Sequence, residues 1–307
     1  MGVTCVGAFP FHDERNTKSE GVANFDHYGC APSTDEGGPE IVYRVKVAED
    51  GFLSAAVYDA SGVDVDVHLL SALDATSCLS RGDHHVRGDV KAGTYFIVVD
   101  SFVEKGSELS GAYQVDIGFL VPSKGSCEMQ SGEMARVGDG GSHLKMPATG
   151  PIVREAHLVT QEEPPPYPQS FSQELTAHYA LSQSKSGLVM YRTEKWAPKE
   201  GGGTFYGSGI GSPSELPVLH EGWYVNMYWT KSARPEKGTR MILRDPNNGS
   251  RAVVVAAGYE SGPGNLEHVG GTPEETHFYM GTSHLDPMTI GIAKDPSLPL
   301  GPRICHP

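Results

Sequence analysis

The segment VDVDVHLL at residues 63–70 decides the fold of the first half of the chain. Valines at 63, 65 and 67 alternate with two aspartates, so an extended strand here has one apolar face and one charged face. Neighbouring segments have a similar length and pattern: IVYRVKV at 41–47, FLSAAVY at 52–58, TYFIVVD at 94–100 and GAYQVDIGF at 111–119. Short strands separated by turns, with no helical period between them, predict a β-sandwich.

The second half of the chain also carries strand and turn signals. An Asn-Asn-Gly turn within PNNGS at 246–250 separates the apolar runs GTRMILRD (238–245) and RAVVVAA (251–257), which predicts a β-hairpin. TPEE at 272–275 is typical of a capped helix start, and we expect that helix to reach about Met280. A final strand is predicted at MTIGIA, 288–293.

The composition changes along the chain suggest three parts. We predict a β-sandwich over residues 1–121, a linker with a lead-in strand over 122–170, and a second domain over 171–307. The linker includes PPPY at 164–167, where consecutive prolines impose an extended backbone. We interpret this segment as a stiff connection; a ligand for a WW domain is the alternative.

Charge and hydropathy exclude several classes of partner. The 307 residues include 24 basic and 38 acidic side chains, and the net charge of −14 repels nucleic-acid phosphates. No apolar run approaches the roughly 18 to 20 residues that span a bilayer, so we expect no transmembrane segment. We also expect a monomer.

The five cysteines are widely spaced and form no C-x-x-C pair, which argues against a closed zinc site. Two disulfides with one spare thiol would suit a secreted, periplasmic or cell-surface protein, and reduced core thiols are the alternative. The residues MGVT at 1–4 do not start a signal peptide, but a removed signal leaves no trace. Spacing alone does not determine which cysteines pair.

Three segments of the first half resemble the bacterial pre-peptidase C-terminal domain: GPEIVYRV at 38–45, VDVDVHLL at 63–70 and AGTYFIVVD at 92–100. That family is a small β-sandwich appended to exported hydrolases. The resemblance covers roughly residues 5 to 120 and implies the same architecture for this part of the chain.

The second half resembles the double-psi β-barrel of the RlpA and expansin group over about residues 185 to 305. The matching runs are GTRMILRD (238–245), NGSRAVVV (248–255) and YESGP (259–263). The resemblance implies a six-stranded barrel with one or two short helices, and an acidic residue before x-G-P. This chain has Glu260 at that position, one methylene longer than the family's aspartate.

A single carboxyl acid/base is sufficient for a lytic transglycosylase, whereas glycan hydrolysis commonly uses two. We therefore predict binding or remodelling of cell-wall peptidoglycan or another polysaccharide, with Glu260 as the acid/base if the glycan is cleaved; the alternative is that Glu260 lies in a solvated turn. The candidate catalytic residues are Glu260, Tyr259 and Asp245, and the candidate substrate-binding residues are Trp223, Tyr228, Trp229 and His284. Aromatic rings stack on sugars, although core packing is the alternative role for the tryptophans.

Two other functions stay open from the sequence. The second half would alternatively be a non-catalytic adhesion or carbohydrate-binding module. No cofactor is required by the motifs, but Asp64 and Asp66 lie on one strand face and could bind calcium together with Asp83 or Asp100. A calcium-stabilised accessory protein of a secreted protease is the third hypothesis.

Overall fold

The computed structural model describes residues 2–130, 135–137, 143–145, 153–160, 188–189, 203–204, 223–227, 235–236, 238–245, 248–260, 270–272, 274–282 and 286–306. The chain divides into two compact units. The first contains Met1–Val121 with Gly187–Tyr191, and the second contains Pro122–Ser186 with Arg192–Pro307. The proline-rich segment at 161–168 lies outside the described residues.

The first unit contains short strands, one short helix and one 3-10 turn. The helix α1 is Thr17–Glu20, capped by the Asn16 side chain, and the 3-10 turn is Ala75–Ser77. The strands are β1 (Val3–Val6), β2 (Phe11–Asn16), β3 (Ile41–Val47), β4 (Gly51–Asp59), β5 (Val65–Leu70), β6 (Cys78–Gly82), β7 (His85–Val90), β8 (Gly93–Ser101), β9 (Val103–Glu104), β10 (Ser107–Glu108) and β11 (Ala112–Leu120).

Two sheets of the first unit pack face to face and confirm the predicted β-sandwich. One sheet has the order β1-β3-β8-β5-β6 and the other has the order β2-β11-β4-β7. Alternate residues of each strand point inward, so that Val65, Val67 and Leu69 of β5 are buried in one core with Leu53, Ala55 and Val57 of β4.

The outer face of the five-stranded sheet is covered rather than wet. Val42, Leu70 and Val98 point away from the sandwich core and form a second apolar cluster with Tyr28 and Phe25. Both aromatic residues come from the segment between α1 and β3. This second layer buries the polar side chains that share its face.

The described residues of the second unit form strands and one helix. The helix α2 is Glu274–Met280, in agreement with the predicted helix start and end. The strands are β12 (Ser123–Gly125), β13 (Ala135–Val137), β14 (His143–Lys145), β15 (Val153–Thr160), β16 (Gly203–Thr204), β17 (Tyr224–Met227), β18 (Arg240–Asp245), β19 (Asn248–Glu260), β20 (Gly270–Thr272), β21 (Pro287–Ile292) and β22 (Gly301–Cys305).

Six of these strands pair in a closed ring. The pairings run from β19 to β17, β20, β15, β21 and β18, and then return from β18 to β19. The β17–β19 and β15–β20 pairings are parallel, and the others are antiparallel. The ring agrees with the predicted six-stranded barrel, and the antiparallel β18–β19 pair confirms the predicted hairpin.

Residues 122–130 belong to the second unit, although the sequence predicts a linker there. β12 pairs in parallel with β22, which in turn pairs with β19. A disulfide joins Cys127 to Cys305, and both cysteines pack with Ile242, Ala252 and Val254. The predicted lead-in strand β15 is likewise part of the ring.

Candidate functional site

The candidate acid Glu260 lies at the end of β19. Its backbone pairs with Gly203 of β16 on one side and with Met227 of β17 on the other, and Tyr259 precedes it in the same pairings. Three strands therefore meet at the position that the family resemblance marks for an acid. The side chains of Tyr259 and Glu260 lie outside what the structure describes.

The candidate residue Asp245 lies at the opposite end of β19 from Glu260. Asp245 is the last residue of β18 and pairs with Asn248 at the hairpin end, whereas Glu260 is twelve positions further along β19. The two acids are thus separated by the length of a strand. Asp245 therefore lies at the hairpin, away from the end of β19 that carries Glu260.

Trp223 lies in the core of the second unit, not on a surface. It is 2% exposed, and its indole Nε1 lies 3.3 Å from the position of a Cβ added at Gly301. Gly301 has φ +105°, a backbone conformation that favours glycine, and the indole leaves little space for a side chain there. The core-packing alternative therefore applies to Trp223, while Tyr228, Trp229 and His284 lie outside the described residues.

A groove of about 730 Å³ lies beside the hairpin end of the barrel. The polar residues of its lining include Glu128, Arg244, Ser250, Thr289, Lys294 and His306. These groups come from segments far apart in the sequence, which the Cys127–Cys305 disulfide and the β12–β22 pairing bring together. No local motif marks them, and for that reason the sequence did not predict this groove.

The basic groups of the groove are accessible to solvent. Lys294 Nζ lies 2.8 Å from Glu128 Oε2, but both side chains are more than half exposed, so the pair is weak. Arg244 donates to the Gly249 carbonyl within the hairpin turn. Lys294 is therefore able to exchange its carboxylate partner for a ligand.

In the first unit, the structure brings together three of the four aspartates considered for calcium. Asp64, Asp66 and Asp83 each have one carboxylate oxygen in a group whose members all lie within 4.8 Å of one another. Asp66 is buried and accepts a hydrogen bond from Arg81. Asp100 is not part of this group; its Oδ2 accepts a hydrogen bond of 2.6 Å from the Tyr28 hydroxyl.

Two further buried groups, which the sequence analysis did not identify, adjoin Asp66. The carboxyl of Glu36 and the imidazole of His68 are both 0% exposed, and Glu36 Oε1 lies 3.7 Å from His68 Nε2. The polar atoms of both side chains lack a hydrogen-bond partner among the described residues. The ring of His68 stacks on Tyr28 with 3.7 Å between the ring centroids.

Burial and charge shift the titration of these groups. Burial, followed by the neighbouring Asp66, raises the pKa of Glu36 to about 9. Burial lowers the pKa of His68 to about 3, so its imidazole is neutral at physiological pH. Burial, with the charges of Asp66 and Asp83, also raises the pKa of Asp64.

The cysteine pattern matches the prediction of two disulfides and one spare thiol. Cys30 pairs with Cys78 and Cys127 with Cys305, while Cys5 is free and exposed. Disulfides are typical of proteins in oxidising compartments, and the pattern is compatible with a periplasmic or extracellular location. Within the described ranges, none of the helices has the length and apolar character that crossing a membrane requires.

No protein-family model and no curated protein matches the chain. Among solved structures, it is similar to the pre-peptidase C-terminal domain of a collagenase from Bacillus anthracis, at 16% identity over 38% of this chain and 94% of that one, with a TM-score of 0.26. It is also similar to PliG from Aeromonas hydrophila, a periplasmic inhibitor of g-type lysozyme, at 12% identity over 38% and 95% of the two chains, with a TM-score of 0.26. Similarity at this level assigns neither a family nor an activity.

Proposed function

We propose that this protein acts outside the cytoplasm and that its second unit binds a cell-wall or other polysaccharide. The observation that carries the proposal is the open groove of about 730 Å³ at the hairpin end of the barrel. Its volume lies in the range of roughly 300 to 1,000 Å³ that is typical of ligand sites. The two disulfides support the location.

The chemistry of the groove suits an acidic or richly hydroxylated glycan. Arg244 and Lys294 supply positive charge, which Glu128 of the same lining offsets in part, and Ser250 and Thr289 supply hydroxyls that donate to or accept from sugar hydroxyls. Because the net charge of the chain is −14, a carboxylate-bearing ligand depends on these local cations for its attraction to the groove.

Binding is tested by sedimentation with insoluble peptidoglycan. We expect the protein to sediment with the glycan, and the Lys294→Ala/His306→Ala double variant to lose most of that binding. Lys46→Ala is the matched control, because Lys46 is an exposed lysine of the first unit. If the double variant binds as well as the unaltered protein, or if neither binds, the groove is not the binding site.

Cleavage is a separate part of the proposal, and it depends on Glu260. Glu260 lies at the opposite end of β19 from the groove, so cleavage requires a second contact of the glycan chain at that end. The motif resemblance and the position of Glu260 at the meeting point of β16, β17 and β19 support it. A carboxyl there would protonate the glycosidic oxygen, and a hydroxyl of the sugar would then close an anhydro ring, as in a lytic transglycosylase.

The cleavage test compares soluble products released from peptidoglycan. We expect release by the unaltered protein and by the control Glu236→Gln, an exposed acid, with a loss of about 10² to 10⁴-fold in Glu260→Gln. Equal release by Glu260→Gln contradicts the acid/base role. If glycan binding is retained but no variant releases product, the protein is a non-catalytic binding module.

A further inference from the structure

Four acidic side chains gather on the outer face of the five-stranded sheet of the first unit. Asp66 lies on β5, Asp64 directly precedes it, Asp83 lies in the turn between β6 and β7, and Glu36 comes from the covering segment. β5 pairs with β6, with Val67 opposite Gly82, and this register places Asp83 beside Asp64 and Asp66. Neighbouring strands therefore assemble a group that is dispersed in the sequence.

Arg81 compensates part of this negative charge. Its Nη2 donates to Asp66 Oδ2, and its Nε lies 3.5 Å from Glu36 Oε1. The guanidinium carries one positive charge, which leaves the charges of Asp64, Asp66 and Asp83 only partly balanced. Asp83 also has His84 Nε2 at 3.4 Å, a contact that carries opposite charges only when the imidazole is protonated.

Several oxygens of the group are left without hydrogen bonds. Asp66 Oδ1 and both oxygens of Glu36 are buried and have no hydrogen-bond partner among the described residues. Glu36 is 0% exposed, and the guanidinium of Arg81 lies against both Glu36 Oε1 and Asp66 Oδ2. A buried carboxylate oxygen without a partner costs roughly 1 to 3 kcal/mol or more, so a cation beside Asp66 Oδ1 would stabilise the fold.

The spacing of the aspartates fits a hard cation. Calcium binds oxygens at about 2.3 to 2.6 Å, so two oxygens on one ion lie at most about 5 Å apart. The three aspartates satisfy this limit of about 5 Å, because one oxygen from each lies within 4.8 Å of the other two. Asp66 is buried while Asp83 is exposed, so the group is anchored in the protein and open to solvent on one side.

We propose that Asp64, Asp66 and Asp83 form a calcium site, with Glu36 as the buried carboxyl behind Asp66. The ion supplies the positive charge that Arg81 does not, and it connects β5 to the β6–β7 turn. Because Glu36 belongs to the segment that covers the sheet, calcium also stabilises that segment against the sheet. This site is independent of the polysaccharide groove.

The first experiment measures thermal unfolding of the full chain, after treatment with a chelator, during a titration with calcium chloride. We expect a saturable rise in the unfolding temperature, with a Kd in the range of about 10⁻⁴ to 10⁻³ M known for extracellular calcium modules. Calorimetry should give one bound ion per chain. Magnesium should be weaker, because the smaller ion needs a tighter octahedral arrangement.

Asp64→Asn and Asp83→Asn distinguish a calcium site from simple charge repulsion. In chelator, each variant should be at least as stable as the unaltered protein, because a repelling charge is removed. In saturating calcium the order should reverse, with affinity weakened by about tenfold or more in each variant. Glu49→Gln, an exposed acid in the turn between β3 and β4, should behave like the unaltered protein.

Three results would overturn the proposal. The first is the absence of any calcium-dependent rise in the unaltered protein. The second is an equal rise in the Asp64→Asn/Asp83→Asn double variant, which would show unspecific screening. The third is binding of zinc chloride without binding of calcium, which would assign the cluster to a different metal.

Discussion

Asp66 and His68 lie on the side of β5 that faces away from the sandwich core, yet both are buried. The alternation in residues 63–70 indicates that these positions share a face, and polar residues on such a face normally contact water. Here Tyr28 and Phe25 of the covering segment exclude water from it. The result is a buried layer of titratable groups with strongly shifted pKa values.

Glu36 gives a test of this layer through the pH dependence of stability. Its ordinary pKa is 4.5, and in the folded protein the pKa is raised to about 9, so the folded state retains a proton that the unfolded chain releases. The free energy of unfolding should therefore fall as pH rises from about 4.5 to about 9. Glu36→Gln is neutral throughout, so we expect a shallower fall, measured by urea unfolding in chelator between about pH 7 and pH 9.

The control for this prediction is again Glu49→Gln, which should retain the slope of the unaltered protein. The lowered pKa of His68 acts in the opposite direction but in a different window, because it destabilises the fold as pH falls from 6.5 towards about 3. Measurements above pH 7 therefore isolate the acids. A Glu36→Gln slope equal to that of the unaltered protein would show that Glu36 is ionised in the fold.

The sequence predicted part of this residue cluster. Asp64, Asp66 and Asp83 could be proposed together, because alternation on a strand and a nearby turn are local signals. Glu36 could not be predicted as a member of this cluster, because its burial depends on how residues 21–40 lie over a sheet formed from later strands. Asp100 was considered for the same group, but its bond to Tyr28 uses an oxygen that no sequence pattern could assign.

At the scale of elements, local pairings were predictable and distant ones were not. The β18–β19 hairpin follows from its Asn-Asn-Gly turn, and α2 follows from its capping residues. The parallel β17–β19 and β15–β20 pairings join strands separated by long stretches of chain, so no turn specifies them. The resemblance to a known barrel, rather than hydropathy alone, supplied the expectation of six strands.

The two disulfides should stabilise their units to different extents. The Cys30–Cys78 bond spans a sequence separation of 48, and the Cys127–Cys305 bond spans 178. The loop-entropy model gives about 4 kcal/mol for the shorter loop and about 5 kcal/mol for the longer one. We expect Cys127→Ser/Cys305→Ser to lower the stability of the second unit by somewhat more than Cys30→Ser/Cys78→Ser lowers that of the first.

Denaturant unfolding of both double variants measures this difference. Cys5→Ser is the control, because Cys5 is free and exposed and its replacement should change stability by less than about 0.5 kcal/mol. A larger loss for the Cys30–Cys78 variant would mean that native packing, not chain entropy, determines the contribution of each bond.

At the scale of the whole molecule, the chain returns to its first unit after entering the second. Gly187–Tyr191 belong to the first unit, where Leu188 is buried and the amide of Val189 donates to Ser54 Oγ over 3.1 Å. The sequence predicts a simple order of two domains and gives no sign of this return. Leu188 is one apolar residue in a long stretch without clear periodicity.

Leu188→Ala should therefore destabilise the first unit. Loss of a buried leucine side chain costs about 2 to 5 kcal/mol, and the transition of the first unit should shift while that of the second stays in place. Near-ultraviolet circular dichroism or hydrogen exchange can assign each transition to its unit. Val121→Ala, at an exposed position, is the control; a shift confined to the second unit would contradict the division of the chain.

The bond between Cys127 and Cys305 also determines how the chain responds to mechanical force. Force applied to the chain outside these two residues is carried by the sulfur–sulfur bridge and the adjacent β12–β22 pair. The bridge spans 178 positions and withholds roughly 600 Å of contour length from extension, at about 3.3 to 3.6 Å per residue. While the bridge is oxidised, the stretch between the two cysteines cannot be pulled out to its full length from its ends.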